Sequence, residues 1–201
     1  MAEFAAPQEI ERALRLVGEL LEARNLRYHI VVIGGTAVNL LGLVSRATTD
    51  VDILAFATPD AAGIRRLRPP DEPLPAPLAS AAATVAADLG LDQHWLNTGP
   101  ASQWQTGLPP GLEGRVMWRD YGGLSVGIVA RRDLVFFKLY AAADDTGTDS
   151  VHFQDLVALA PTDEELSGAA AWIGQQDPGP DFHRTVSQVI EHARTHRDRA
   201  R

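Results

Sequence analysis

The amino-acid sequence predicts an α/β (α+β) protein: a mixed α/β core over residues 1–130, and a C-terminal helical portion over 131–201 packed on it. Three observations carry this reading. A β-branched run, Tyr28-His29-Ile30-Val31-Val32-Ile33, is stopped by Gly34-Gly35 and followed by good helix formers. A second strand-like run, Asp50 to Phe56, comes after a short loop. Beyond Arg131 the patterns are helical only.

Taken in order, Ile10, Leu14, Val17 and Leu21 recur at helical spacing and Pro7 suits a first turn, which predicts an amphipathic helix from Pro7 to about Asn25. Tyr28 to Ile33 reads as a strand buried on both faces. Thr36 to Leu43 is expected to be helix and Val44 to Thr49 a loop. Proline lacks a donor and fixes the backbone, so Pro69 to Pro77 is expected to be an exposed loop. Leu78 to Leu89 is alanine-rich and reads as helix, while Asn97 to Gly114 reads as a long loop of the kind that often carries function. Arg115–Tyr121 and Leu124–Ala130 flank Gly122-Gly123 as a hairpin. Helices are expected at Asp133–Ala143, His152–Ala160, Asp163–Gln176 and Phe182 to about Arg197, the third opened by a Thr162/Glu165 capping box.

Composition narrows the function. The 201 residues fit one domain, or one compact domain with an appendage. The absence of cysteine excludes a disulfide framework, a thiolate zinc site, an iron–sulfur cluster and a cysteine nucleophile. A net charge of −8 argues against a surface that wraps nucleic acid non-specifically, while leaving room for a local basic site. The opening MAEFAAPQEIERAL has acids where a secretory leader needs positive charge, and no apolar run approaches the ~20 residues that span a bilayer. The expectation is a cytoplasmic protein with no membrane partner.

The chemistry concentrates in Ile33-Gly34-Gly35-Thr36-Ala37 and Arg46-Ala47-Thr48-Thr49-Asp50-Val51-Asp52. A strand that ends in paired glycines at a helix start offers bare backbone N–H groups and a positive helix end to a phosphate. Asp50 and Asp52 alternate at the start of the next strand, so both carboxylates project from one face, about 6–7 Å apart along the backbone. They suit a hard divalent cation, Mg2+ or Mn2+, which takes one or two carboxylates, keeps waters and accepts substrate phosphates. Arg46 is placed to clamp a phosphate oxygen.

This pattern resembles the nucleotidyltransferase superfamily, whose motif is a glycine pair, a short helix and a strand bearing Asp-x-Asp. The fuller form, from Gly34-Gly35-Thr36-Ala37 through Arg46-Ala47-Thr48-Thr49-Asp50-Val51-Asp52-Ile53-Leu54, is similar to the bacterial branch of AbiEii-type toxins and DUF6036 nucleotidyltransferase-like proteins. The resemblance implies a nucleotidyltransferase-type mixed sheet flanked by helices. It extends to Asp133-Leu134-Val135-Phe136-Phe137-Lys138-Leu139 and His152-Phe153-Gln154-Asp155-Leu156, and implies active-site roles for Lys138 and Asp155. The activity implied is metal-dependent transfer of a nucleoside monophosphate from an NTP to an acceptor hydroxyl, with RNA, tRNA included, among the acceptors. Gly34, Gly35, Thr36, Arg46 and Thr48 hold the nucleotide in that reading, Asp50 and Asp52 bind metal, and a cognate antitoxin is a candidate partner in a toxin–antitoxin or phage-defence pair.

The pattern also departs from the superfamily. Polymerase-like members carry a third carboxylate on a later strand as general base, and Leu124 to Ala130 offers none; Asp133 or Asp155 could stand in. The alternatives are therefore a nucleotide-binding or partner-binding module without turnover, and transfer to a small hydroxylated molecule of the aminoglycoside type. Several residues carry plainer readings too. Lys138 could be a snorkelling lysine or pair with Asp155. Trp104 could stack on a base or anchor its own loop. His192 and His196 read as part of a solvated tail, and His29, His94 and His152 lack ligand spacing.

Overall fold

The computed structural model describes residues 3–145, 150–177 and 179–199, and the chain divides into two compact units, Met1–Val129 and Ala130–Arg201. In the first unit α1 (Pro7–Glu22) buries Ile10, Leu14, Val17 and Leu21, the stripe expected from their spacing. Each such side chain contributes roughly 1.5–3 kcal/mol on leaving water. The chain then runs through β1 (Tyr28–Ile33), α2 (Gly34–Leu40), β2 (Val51–Pro59), β3 (Arg65–Arg68), α3 (Ala76–Leu89) and β4 (Leu96–Asn97). A 3-10 turn at Gly99–Ser102, α4 (Gln103–Thr106) and a second turn at Leu112–Arg115 lead to β5 (Met117–Tyr121) and β6 (Leu124–Ile128).

The six strands form one mixed sheet in the order β3-β2-β1-β6-β5, with β4 on β2. β1 is its buried centre, antiparallel to β2 and parallel to β6. The expected hairpin is present as β5 and β6, turned at Gly122 with φ 64°. A bulge on β2 shifts the β1–β2 register between Val31 and Val32. On the outer edge of β2, β4 pairs Val51 and Asp52 while β3 pairs Phe56 to Pro59. The gap between them is covered by the 99–106 segment, where the Trp104 indole donates to Leu54 O at 2.6 Å. Trp104 thus anchors the long loop, which is not wholly irregular.

Several limits differ from expectation: β2 starts at Val51 rather than Asp50, and α3 starts at Ala76, inside the expected proline loop. α2 starts at Gly34 and stops at Leu40 rather than running to Leu43. Gly42, with φ 67°, closes it: Gly42 N–H reaches Asn39 O and Leu43 N–H reaches Val38 O, the paired bonds of a left-handed glycine stop. β3 is not legible in Arg-Arg-Leu-Arg. Tertiary partners hold it, with Arg68 over the Phe56 ring, Arg65 over Trp118 and Glu113 accepting from Leu67 N–H.

The second unit is helical among its described residues: α5 (Arg131–Asp144), α6 (Val151–Ala158), α7 (Asp163–Gln176) and α8 (Pro180–Arg199). The capping box at Thr162 and Glu165 is complete. Arg131 reaches Glu165 Oε1 at 2.6 Å and also donates to Leu159 O, tying the end of α6 to the start of α7. Aromatic rings of Phe136, Phe137 and Tyr140 pack against Trp172, and Phe182 meets Tyr140. Among the described residues, no helix is long and apolar enough to cross a membrane.

Two predictions follow from packing and from charge. A Cβ on Gly18 would lie 1.6 Å from the Tyr121 carbonyl oxygen, so Gly18→Ala must drive α1 off β5; a loss of about 1–3 kcal/mol or more in denaturant unfolding is expected. Burial, the largest influence on Glu165, pushes its carboxyl up, but the hydrogen bonds from Arg131 and the Thr162 backbone outweigh it and hold the group below its ordinary range. A depressed carboxylate stabilises the fold above its unfolded value and loses that contribution as pH falls through the folded one. Glu165→Gln is therefore expected to be less stable than the parent at neutral pH, with the gap closing as pH falls below the ordinary carboxylate range in thermal melts.

Candidate active site

β1 delivers the chain to Gly34, whose φ of 71° lies where residues with a Cβ are strained. The antiparallel register sets Ile33 opposite Asp52. In consequence the Asp52 carboxylate rests against Gly34, and a Cβ there would stand 2.6 Å from Asp52 Oδ2. Gly35 is crowded in the same way from another direction: its Cβ would be 2.8 Å from Thr48 Oγ1 and 3.0 Å from Arg46 Nη2. The bare glycine pair is thus a floor on which Asp52, Thr48 and Arg46 converge.

Asp50 joins them from the loop, since β2 begins one residue later, at Val51. Thr48 Oγ1 lies 3.5 Å from Asp50 Oδ1, and the Thr36 hydroxyl donates to Asp50 O at 2.7 Å. Thr36 therefore acts through the backbone of the acid-bearing loop. Residues of the glycine turn, the short helix and the acidic strand are brought together within the first unit.

One contributor escapes a reading of motifs. Asn39, 1% exposed, donates from Nδ2 to Gly35 O at 2.9 Å and accepts from Arg46 N–H at 3.3 Å on Oδ1. It couples the glycine turn to the arginine loop. Its signal in the sequence is a lone amide inside the apolar run Ala37-Val38-Asn39-Leu40-Leu41, a position that burial makes expensive unless both ends are bonded.

As a cation site the donor set is hard and small: the carboxylates of Asp50 and Asp52 with the Thr48 hydroxyl close by. Among the described residues no group of three His, Cys, Asp or Glu side chains assembles a full metal cage. Two carboxylates fit a cation that retains waters and takes its remaining ligands from substrate phosphates.

A family model described as nucleotidyltransferase of unknown function (DUF6036) matches residues 11–159. The chain belongs to this family. Neither the curated proteins nor the solved structures include a match to the chain. The DUF6036 match spans the glycine pair, Asp50 and Asp52, and continues through α5 and α6. The mixed sheet with flanking helices agrees with a nucleotidyltransferase-type fold.

In the second unit of this DUF6036 protein, Lys138 and Asp155 meet as an ion pair of 2.7 Å, with side chains 5% and 1% exposed. The pair joins α5 to α6. Asp133, expected as a substitute carboxylate, is fully buried near the start of α5. On the sheet, β6 has no carboxylate, and the nearest acid on its neighbour is Asp120 of β5. Asp120 pairs with Ser125, which pairs with His29. That register puts it some five residues, or about 16 Å along β1, from the Gly34 end. Asp120 is thereby excluded as a third acid.

The two glycines are separable by mutation. Gly34→Ala is expected to cost about 1–2 kcal/mol for its left-handed backbone alone and to displace the Asp52 carboxylate. Gly35→Ala lacks the backbone penalty and crowds two side chains, so denaturant unfolding should rank Gly34→Ala as the more destabilised.

Proposed function

We propose that this chain is a nucleotidyltransferase that moves a nucleoside monophosphate from an NTP to an acceptor hydroxyl and releases pyrophosphate. The observation that carries the reading is the convergence of Asp52, Thr48 and Arg46 on Gly34 and Gly35, with Asp50 beside Thr48. Membership of a family described as nucleotidyltransferase supports it.

Each residue then has a task. Gly34 and Gly35 let a triphosphate approach the backbone without a side chain in the way, and Thr36 and Thr48 keep the Asp50 loop against them. Arg46 neutralises phosphate charge beside Gly35. Asp50 and Asp52 hold the divalent cation, Mg2+ or Mn2+, which when bound polarises the phosphates and offsets charge on the leaving pyrophosphate. The resemblance adds Lys138 as a further phosphate-neutralising group and Asp155 as the carboxylate that orients it through their ion pair. It also motivates RNA, including tRNA, as acceptor, kinship with AbiEii-type toxins, and a place in a toxin–antitoxin or phage-defence pair.

A second reading, nucleotide binding without turnover, is favoured by the lack of a carboxylate on β6 and the remote position of Asp120. The two are separated by incubating the protein with labelled NTPs, Mg2+ and either total tRNA or an aminoglycoside mixture. Label transfer that Asp50→Ala with Asp52→Ala lowers by about 100-fold or more supports the enzyme, that being the scale for losing charge stabilisation at a reacting group. NTP binding with no transfer to either acceptor supports the module, and no NTP binding overturns both.

A further inference from the structure

The placement of Asp50 poses a physical problem. Asp52 lies within the β1–β2 ladder, opposite Ile33, but Asp50 precedes the strand and has no ladder partner in that register. Something outside the ladder must hold it where a carboxylate is useful.

Thr36 holds the Asp50 carbonyl, and the segment Glu3–Ala5 grips the chain on either side of it, with Phe4 as its working residue. Phe4 exchanges both backbone bonds with Thr48, its N–H donating to Thr48 O at 2.8 Å and its carbonyl accepting from Thr48 N–H at 3.1 Å. This isolated bridge grips the loop two residues before Asp50. The Phe4 ring is 2% exposed and meets Trp95 edge-on, with centroids 5.7 Å apart. Trp95 is itself locked, its indole donating to Ala82 O on α3, and its carbonyl accepts from Val51 N–H at 2.5 Å. Phe4 therefore braces Asp50 from both sides, by its backbone at Thr48 and through Trp95 at Val51. The segment is anchored in turn, because Ala5 N–H donates to Glu9 Oε2 of α1 at 2.6 Å.

We propose that Phe4 is a positioning residue that holds Asp50 at the glycine pair and so sets the affinity of the site for metal and nucleotide. This inference rests on the proposed function for its ligand, and on the hydrogen bonds and ring contact alone for its mechanism. Phe4 touches none of the expected ligands and acts through Thr48 and Trp95. A residue that orients a metal ligand is worth about 10–100-fold in metal affinity.

The test combines Mn2+·ATP calorimetry with amide hydrogen exchange on the full chain. Phe4→Ala is expected to weaken Mn2+·ATP binding about 10–100-fold, and Phe4→Leu to restore most of it. Added to Asp50→Asn, Phe4→Ala should cause little further loss, because both changes remove the same contribution. The amides of Thr48 and Val51 should exchange faster in Phe4→Ala while that of Val32, inside the sheet, does not. Unchanged affinity in Phe4→Ala, losses that multiply in the double variant, or unchanged exchange at Thr48 and Val51 would each overturn the proposal. If Phe4→Ala does not fold, Phe4→Val, which keeps an apolar side chain but gives up the ring edge on Trp95, takes its place in the same affinity and exchange comparisons. If the parent binds no Mn2+·ATP, the proposed function fails, and the exchange rates alone decide whether Phe4 holds the loop.

Discussion

The antiparallel register that sets Ile33 opposite Asp52 brings a carboxylate to the one point on β1 where the chain has just lost its side chains. Were Gly34 any other residue, its Cβ would stand 2.6 Å from Asp52 Oδ2 and push the carboxylate aside, and its φ would be strained as well. Were Gly35 any other, Thr48 and Arg46 would have to yield. The absence of two side chains thus organises three elements that are distant along the chain. It also leaves backbone uncovered at Gly34 and Gly35, so the steric requirement of folding falls on the same residues that the proposed function gives to phosphate.

Around that floor the polar groups are tied into short circuits. Asn39 satisfies both the Gly35 carbonyl and the Arg46 N–H, and Thr36 satisfies the Asp50 carbonyl. Arg119, paired with Glu11 of α1, donates to Leu40 O at the end of α2. Buried or half-buried groups bonded in this way resist rearrangement, because breaking one bond leaves two unsatisfied atoms. A loop of mixed polar residues, 44–50, acquires the fixed geometry that a charged site needs.

The helical unit solves a different electrostatic problem. A lysine and an aspartate buried to 5% and 1% exposure are stable only as a pair, since removing one partner strands the other charge in a medium that solvates it poorly. Arg131 plays a comparable part at the surface, joining the end of α6 to the capping box of α7. The loss of a single charge from either arrangement weakens a junction between helices rather than one helix.

Much of this was legible from spacing. Ile10, Leu14, Val17 and Leu21 announce α1, Thr162 with Glu165 announces the start of α7, and Gly34-Gly35 ahead of Asp50 and Asp52 marks the residues that the structure brings together as the candidate site. These signals are short-range: helical periodicity, caps and strand alternation depend on residues a few positions apart. Arg65–Arg68 as a strand, the bond from Trp104 to Leu54 and the bracing of Thr48 by Phe4 carry no such local mark. They join residues tens of positions apart, and what decides them is which side chain fills the space and which donor faces the open carbonyl once the sheet is formed. By itself the sequence determined the kinds of element, their approximate limits and the residue types at the candidate site. Tertiary structure alone decided that Asp52 lies on Gly34 and that Asn39 and Phe4 secure the neighbouring loop, because long-range contacts are chosen by packing and not by spacing.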